Sequence, residues 1–185
     1  TSWGRHWPAT WGSGMTGAMP VGRHAAASAE PAAAKPALLF LCHRIPYPPN
    51  KGDKIRAFHL LHHLSRHFDI YLGSFVDDPQ DWPWAPEVEK FCRAVCLRPL
   101  DTRLATVRSV RGLWSGQALS VPYYADAGLR TWVAETVAEH GIRHAIVYSS
   151  AMAQFLPAGG RGFQRKVIDF VDVDSDKWQQ YALQK

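Results

Sequence analysis

Strand-sized apolar runs alternate with helix-sized amphipathic stretches along most of this sequence, and that alternation constrains the fold more than any other feature. Ala37-Leu38-Leu39-Phe40-Leu41-Cys42 is almost continuously apolar, the pattern of a strand covered on both faces. A Pro/Gly loop, His43 to Gly52, follows. From about Asp53 to His67 the residues Ile55, Phe58, Leu61, Leu64 and Phe68 recur on one side of a helix, with Asp53 at its N-cap. The alternation continues with a strand over 69–76, a polar connection over 77–81, a helix over 86–93, a strand over 94–97 and helices over 104–114 and 129–139. Buried strands follow over 145–148 and 166–171. Strands joined through helices form crossovers, so the predicted class is α/β, a Rossmann-like parallel sheet flanked by helices. Ligands of such sheets bind at the carboxyl ends of the strands.

The two flanks read differently. Residues 1–36 hold Trp3, Trp7 and Trp11 among glycines, prolines and an alanine-rich run, with no sustained period, and are expected to be a disordered tail or a mis-assigned start. They lack the charged start and continuous apolar core of a secretory signal. At the other end, Asp174-Ser175-Asp176-Lys177-Trp178 reads as the start of a capped helix that Lys185 cuts short. The domain is therefore expected over 37–185, truncated at its carboxyl end. No run approaches the roughly 20 apolar residues of a membrane-spanning helix. Three cysteines, Cys42, Cys92 and Cys96, do not make a disulfide framework and suit a reducing cytoplasm. The Cys92/Cys96 spacing fits one helical turn better than half of a zinc site. The 21 basic residues against 16 acidic ones give a net charge of +5, a general attraction to anions. They are scattered rather than massed, so no nucleic-acid partner is expected.

The loop after the first strand, His43-Arg44-Ile45-Pro46-Tyr47-Pro48-Pro49-Asn50-Lys51-Gly52-Asp53, matches neither a dinucleotide fingerprint nor a P-loop. Its prolines stiffen it, Gly52 permits close approach to the backbone, and the helix behind it presents free N–H groups. Arg44, Lys51, Lys54 and Arg56 add positive charge at that opening. A phosphate or a sugar hydroxyl fits there; so does the plain alternative, an ordinary long loop with exposed cations. His59, His63 and His67 share a helix face that reads as a solvated one rather than as a metal site. Ser149 and Ser150 follow a late strand, where they contact a ligand or cap a short helix. Asp172-Val173-Asp174 does not belong to an EF-hand, because Lys177 and Leu183 stand where that loop needs Gly and Glu. It matches the D-x-D of metal-dependent GT-A sugar transferases, or else a strand-end carboxylate and a helix cap.

Three segments together resemble one family. They are Pro46-x-Pro48-Pro49-x-x-Gly52-Asp53-x-x-Arg56, Ser149-Ser150-Ala151-Met152-Ala153, and Asp169-Phe170-Val171-Asp172-Val173-Asp174-Ser175-Asp176-Lys177-Trp178. Over about 36–185 the chain resembles the amino-terminal half of GT-B glycosyltransferases of family 4, the group associated with PEP-CTERM/exosortase systems. That resemblance implies a cytoplasmic hexosyltransferase, possible contact with the inner membrane, and a role in exopolysaccharide or surface-glycan biosynthesis. It implies a nucleotide-sugar donor, a glycan or lipid-linked acceptor, and no required cofactor or metal. On it, Gly52 with Asp53 and Arg44 faces the donor phosphates, Lys51 or Arg56 assists electrostatically, and Ser149, Ser150 and Asp172 line the acceptor side. Arg56 and Asp172 are its catalytic candidates. The donor-binding half, which carries two glutamates eight positions apart, is expected to be missing. Glu30, Glu87, Glu89, Glu135 and Glu139 include no such pair. The polypeptide alone is therefore expected to be inactive.

Overall fold

Leu38 through Cys42 are all buried in the computed structural model, which describes residues 35–112, 120–157 and 162–171. In chain order the elements are β1 (Ala37–Cys42), α1 (Gly52–Leu64), β2 (Asp69–Val76), a 3₁₀ turn (Pro79–Trp84), α2 (Ala85–Glu89), β3 (Ala94–Pro99), α3 (Thr102–Gly112), α4 (Ser120–Tyr123), α5 (Ala127–Glu139), β4 (His144–Tyr148), a further 3₁₀ turn (Ser150–Phe155) and β5 (Arg165–Asp169).

Consecutive side chains of a strand point to opposite faces, so unbroken burial along β1 requires cover on both. Leu38, Phe40 and Cys42 enter one core with Ala57 and Leu61 of α1 and Val88 of α2. Leu39 and Leu41 enter another with Ala105 of α3 and Leu129 and Val133 of α5. Each buried leucine, valine or phenylalanine among them contributes about 1.5–3 kcal/mol of transfer free energy. The described strands form one sheet in the order β3-β2-β1-β4-β5, parallel at every junction. Phe40 of the central strand stands opposite Leu72 on one side and Ile146 on the other. This is the Rossmann-like α/β arrangement that the alternating pattern predicts. α5 lies close over β2 at Gly73, where a Cβ would come within 2.9 Å of Leu41 Cδ2 and 3.0 Å of Leu129 Cδ1. Glycine is what lets helix and sheet approach there.

Several local expectations need correction. Helix α1 begins at Gly52, with Lys51 in the cap position and no side-chain cap. Asp53 is not the N-cap, because its carboxylate is drawn to the Arg44 guanidinium 2.9 Å away. The helix buries Lys54, Ala57 and Leu61, whereas Ile55 is 41% exposed. The apolar stripe is rotated because Lys54 Nζ pairs with Asp81 Oδ2 at 2.5 Å and goes inward with it. α2 ends at Glu89, so Cys92 lies in a turn and Cys96 in β3 rather than on one helical turn; all three cysteines are free. β5 is not a buried strand. It pairs only with β4 on the described sheet, and Val167 and Ile168 are exposed. No helix among the described residues is long and apolar enough to cross a membrane.

Candidate functional site

The chain leaves β1 outward to β2 and β3, then returns to place β4 on the other flank of β1. At such a switch point the loops leaving the two adjacent strands diverge in opposite directions and open a crevice at their carboxyl ends. Here those loops begin with His43 after β1 and Ser149 after β4. A pocket of about 270 Å³ occupies the position, lined by His43, Ser120, Tyr124, Ser149, Ser150 and the start of the segment after β5. Its walls thus offer serine hydroxyls, a phenol and an imidazole, groups that both donate and accept hydrogen bonds.

Backbone geometry holds these groups in place. Ser149 has φ of +91°, a conformation L-residues seldom adopt, and its N–H donates to the Asp169 carbonyl at 2.8 Å. That bond ties the end of β4 to the end of β5. Strain of this kind costs on the order of 1–3 kcal/mol and persists only where surrounding contacts fix it. Tyr148, fully buried, donates its hydroxyl to the Asp53 carbonyl at 3.1 Å and so joins β4 to the first turn of α1. The His43 ring lies parallel to that of Tyr148, with centroids 6.1 Å apart, and meets Tyr124 edge-on.

The cations named from the sequence are mostly engaged. Arg44 binds Asp77 through two nitrogens, at 2.8 and 3.1 Å, and Asp53 through a third at 2.9 Å. Arg56 pairs with Asp169 and lies over the Tyr148 ring, 5.8 Å from its centroid. Lys54 corrects the expectation outright, being buried against Asp81 beneath the helix rather than at the opening. Lys51 and Gly52 are exposed, and a Cβ on Gly52 would meet nothing within 4 Å. The opening is therefore an alternating lattice of Arg and Asp more than a basic mouth. Asp172 and Asp174 lie outside the described residues. His59 and His63 are exposed on α1 and His67 is exposed in the turn that follows it, and no group of three or more His, Cys, Asp or Glu among the described residues is placed to hold a metal ion.

Electrostatics at the crevice follow from this lattice. Burial, reinforced by Arg44, lowers the His43 pKa below its ordinary value, against the pull of Asp53, whose Oδ2 is 3.5 Å from Nε2. His43 Nδ1 is buried without a hydrogen-bond partner among the described residues. Burial raises the pKa of Asp53, yet the Arg44 guanidinium, the backbone N–H groups of Lys54 and Asp53, and His43 together outweigh it and keep the carboxyl below its usual range. Burial also pushes the Tyr124 and Tyr148 phenols up to about 12, so both remain hydroxyls at neutral pH. The pocket consequently carries neutral polar groups, backed by a charged layer that is internally balanced.

His43, Asp77, Ser120, Tyr124 and Tyr148 were not singled out from the sequence. One signal does point to His43, which follows the last buried residue of the first apolar strand directly. Its weight appears only once that strand is known to be central. No protein-family model matches this sequence, and neither the curated proteins nor the solved structures give a match.

Proposed function

We propose that this chain forms the acceptor-side domain of a glycosyltransferase that moves a sugar from a nucleotide-sugar to a hydroxyl of a glycan or lipid-linked acceptor. One observation carries the reading: the switch-point pocket is lined by neutral hydroxyl and imidazole groups, which suit a polyhydroxylated ligand better than an anionic one. The likeness of the 46–56, 149–153 and 169–178 segments to GT-B transferases of PEP-CTERM systems supplies the reaction class.

In this reading Ser149, Ser150 and Tyr124 hydrogen-bond the acceptor, and His43, neutral at pH 7, accepts from or donates to one of its hydroxyls. Arg56 lies over the Tyr148 ring, its side chain 58% accessible despite its pairing with Asp169. It is placed to stabilise negative charge growing on a departing nucleotide diphosphate, which is the main electrostatic demand of sugar transfer. A donor-binding domain completes the cleft, and the nucleotide-sugar is a substrate rather than a resident cofactor.

The test is a transfer assay with the protein at its full natural length, labelled UDP-, GDP- and dTDP-sugars, and a bacterial lipid and glycan extract. Label is expected in a glycan or lipid-linked product, and Arg56→Ala is expected to lower turnover at least tenfold with the circular dichroism spectrum unchanged. Absence of labelled product overturns the transferase reading; wild-type turnover in Arg56→Ala overturns the role of that side chain.

A further inference from the structure

A larger pocket lies farther along the same carboxyl edge of the sheet. It has a volume of about 460 Å³, and Val76, Asp77, Trp82, Asp101, Thr102 and Arg103 are among the residues around it, at the ends of β2 and β3 and the start of α3. Fold maintenance does not account for three of its lining residues. Trp82 is 40% exposed, and the side chains of Trp82, Thr102 and Arg103 make no hydrogen bond, ion pair or ring contact among the described residues. Asp101, by contrast, has a structural duty: its Oδ1 accepts from the backbone N–H groups of Arg103 and Leu104 and so opens α3.

An indole face beside carboxylate, hydroxyl and guanidinium groups has a definite chemical complement. A pyranose presents a C–H face that stacks on an aromatic ring and hydroxyls that donate to planar carboxylates and accept from planar guanidinium groups. A phosphate fits less well, since Asp101 would repel it and Asp77 is already neutralised by Arg44. The two pockets are joined by polar groups: Asp77 in the larger one is bound by Arg44, which also binds Asp53, and Asp53 approaches His43 in the smaller one. From the gap between β1 and β4 to that between β2 and β3 is two strand spacings, about 10 Å. A short run of linked sugars spans that distance, and a single sugar does not.

We propose that the acceptor is an uncharged oligosaccharide that lies along the sheet edge, its reactive end at the switch-point pocket and a more distant unit stacked on Trp82. This rests on the reading of the switch-point pocket as the acceptor site. It adds a preference for chain length, set by Trp82, Thr102 and Arg103, none of which takes part in transfer itself.

The probe is a printed array of neutral bacterial and plant glycans of one to six units, bound by the purified protein, followed by transfer assays with the best binders and their truncated forms. Affinity is expected to rise at least tenfold between one unit and three or more. Trp82→Ala should remove that gain while leaving binding of short glycans and the circular dichroism spectrum unchanged, and Trp82→Phe should restore most of it. Affinity independent of length, equal length dependence in Trp82→Ala, or protection of Trp82 by UDP or inorganic phosphate in place of glycans would overturn the proposal. Transfer to an acceptor of three or more units at the same rate in wild type and Trp82→Ala sinks this inference and leaves glycosyl transfer standing. Transfer to no acceptor sinks the proposed function.

Discussion

His43 shows how one residue's chemistry is set by neighbours distant in sequence. Its imidazole is enclosed between Tyr148 and Tyr124, beside Arg44 and within 3.5 Å of Asp53. Burial, with Arg44, holds its folded pKa below 6.5, the value it regains on unfolding. Between those two values the unfolded chain binds the extra proton, so stability rises with pH through that window and is lost as pH falls below about 6.5. Two-dimensional NMR of the imidazole should therefore give a titration midpoint under 6.5. Urea melts should weaken between pH 7.5 and 5.5 more steeply for the wild type than for His43→Gln. A midpoint at or above 6.5 would show that Asp53, not burial, governs the ring. The sequence placed His43 at a strand end and supplied Arg44 and Asp53 as loop charges. It did not show that these charges neutralise one another, because the partner that holds Arg44 by two contacts, Asp77, comes from the end of another strand.

At the scale of elements, strands were the legible part. β1 and β2 lie over 37–42 and 69–76 as the apolar runs predict, because burial on both faces demands uninterrupted apolar sequence in a central parallel strand. Helix faces were less legible. The buried side of α1 turned on Lys54, whose partner Asp81 lies 27 residues farther on, in the 3₁₀ turn after β2. Lysine inside a helix stripe reads as solvent-facing until its counter-ion is located. The pair is 1% and 9% exposed, so removing one member strands a charge without water. Lys54→Met is expected to destabilise the domain by about 3–5 kcal/mol, and the double change Lys54→Met with Asp81→Leu to recover most of that loss. Chemical denaturation of both variants decides it; a single substitution costing under about 1 kcal/mol would mean that water reaches Asp81.

For the whole molecule, the decisive feature is the reversal of strand order at β1. A central strand paired on both sides opens only when the sheet comes apart, whereas β3 and β5 lie at the described edges. Hydrogen exchange should accordingly be slowest at Leu39, Phe40 and Leu41 and faster along 165–169, in keeping with local opening of less buried units. Exchange in β5 as slow as in β1 would indicate that another element covers that edge. The sequence by itself determined the α/β class, since the period and length of apolar runs fix which segments become strands and which helices. It also marked the loop after β1 and the Ser149-Ser150 turn as places for binding. Only tertiary structure decided that β1 and β4 adjoin, and hence that His43 and Ser149 share one pocket. It alone decided that Arg44, Lys54 and Arg56 each meet an aspartate, so that a net charge of +5 leaves no basic mouth at this crevice. Strand order and ion pairing are relations between segments far apart in the chain, and local periodicity carries no record of which segments meet.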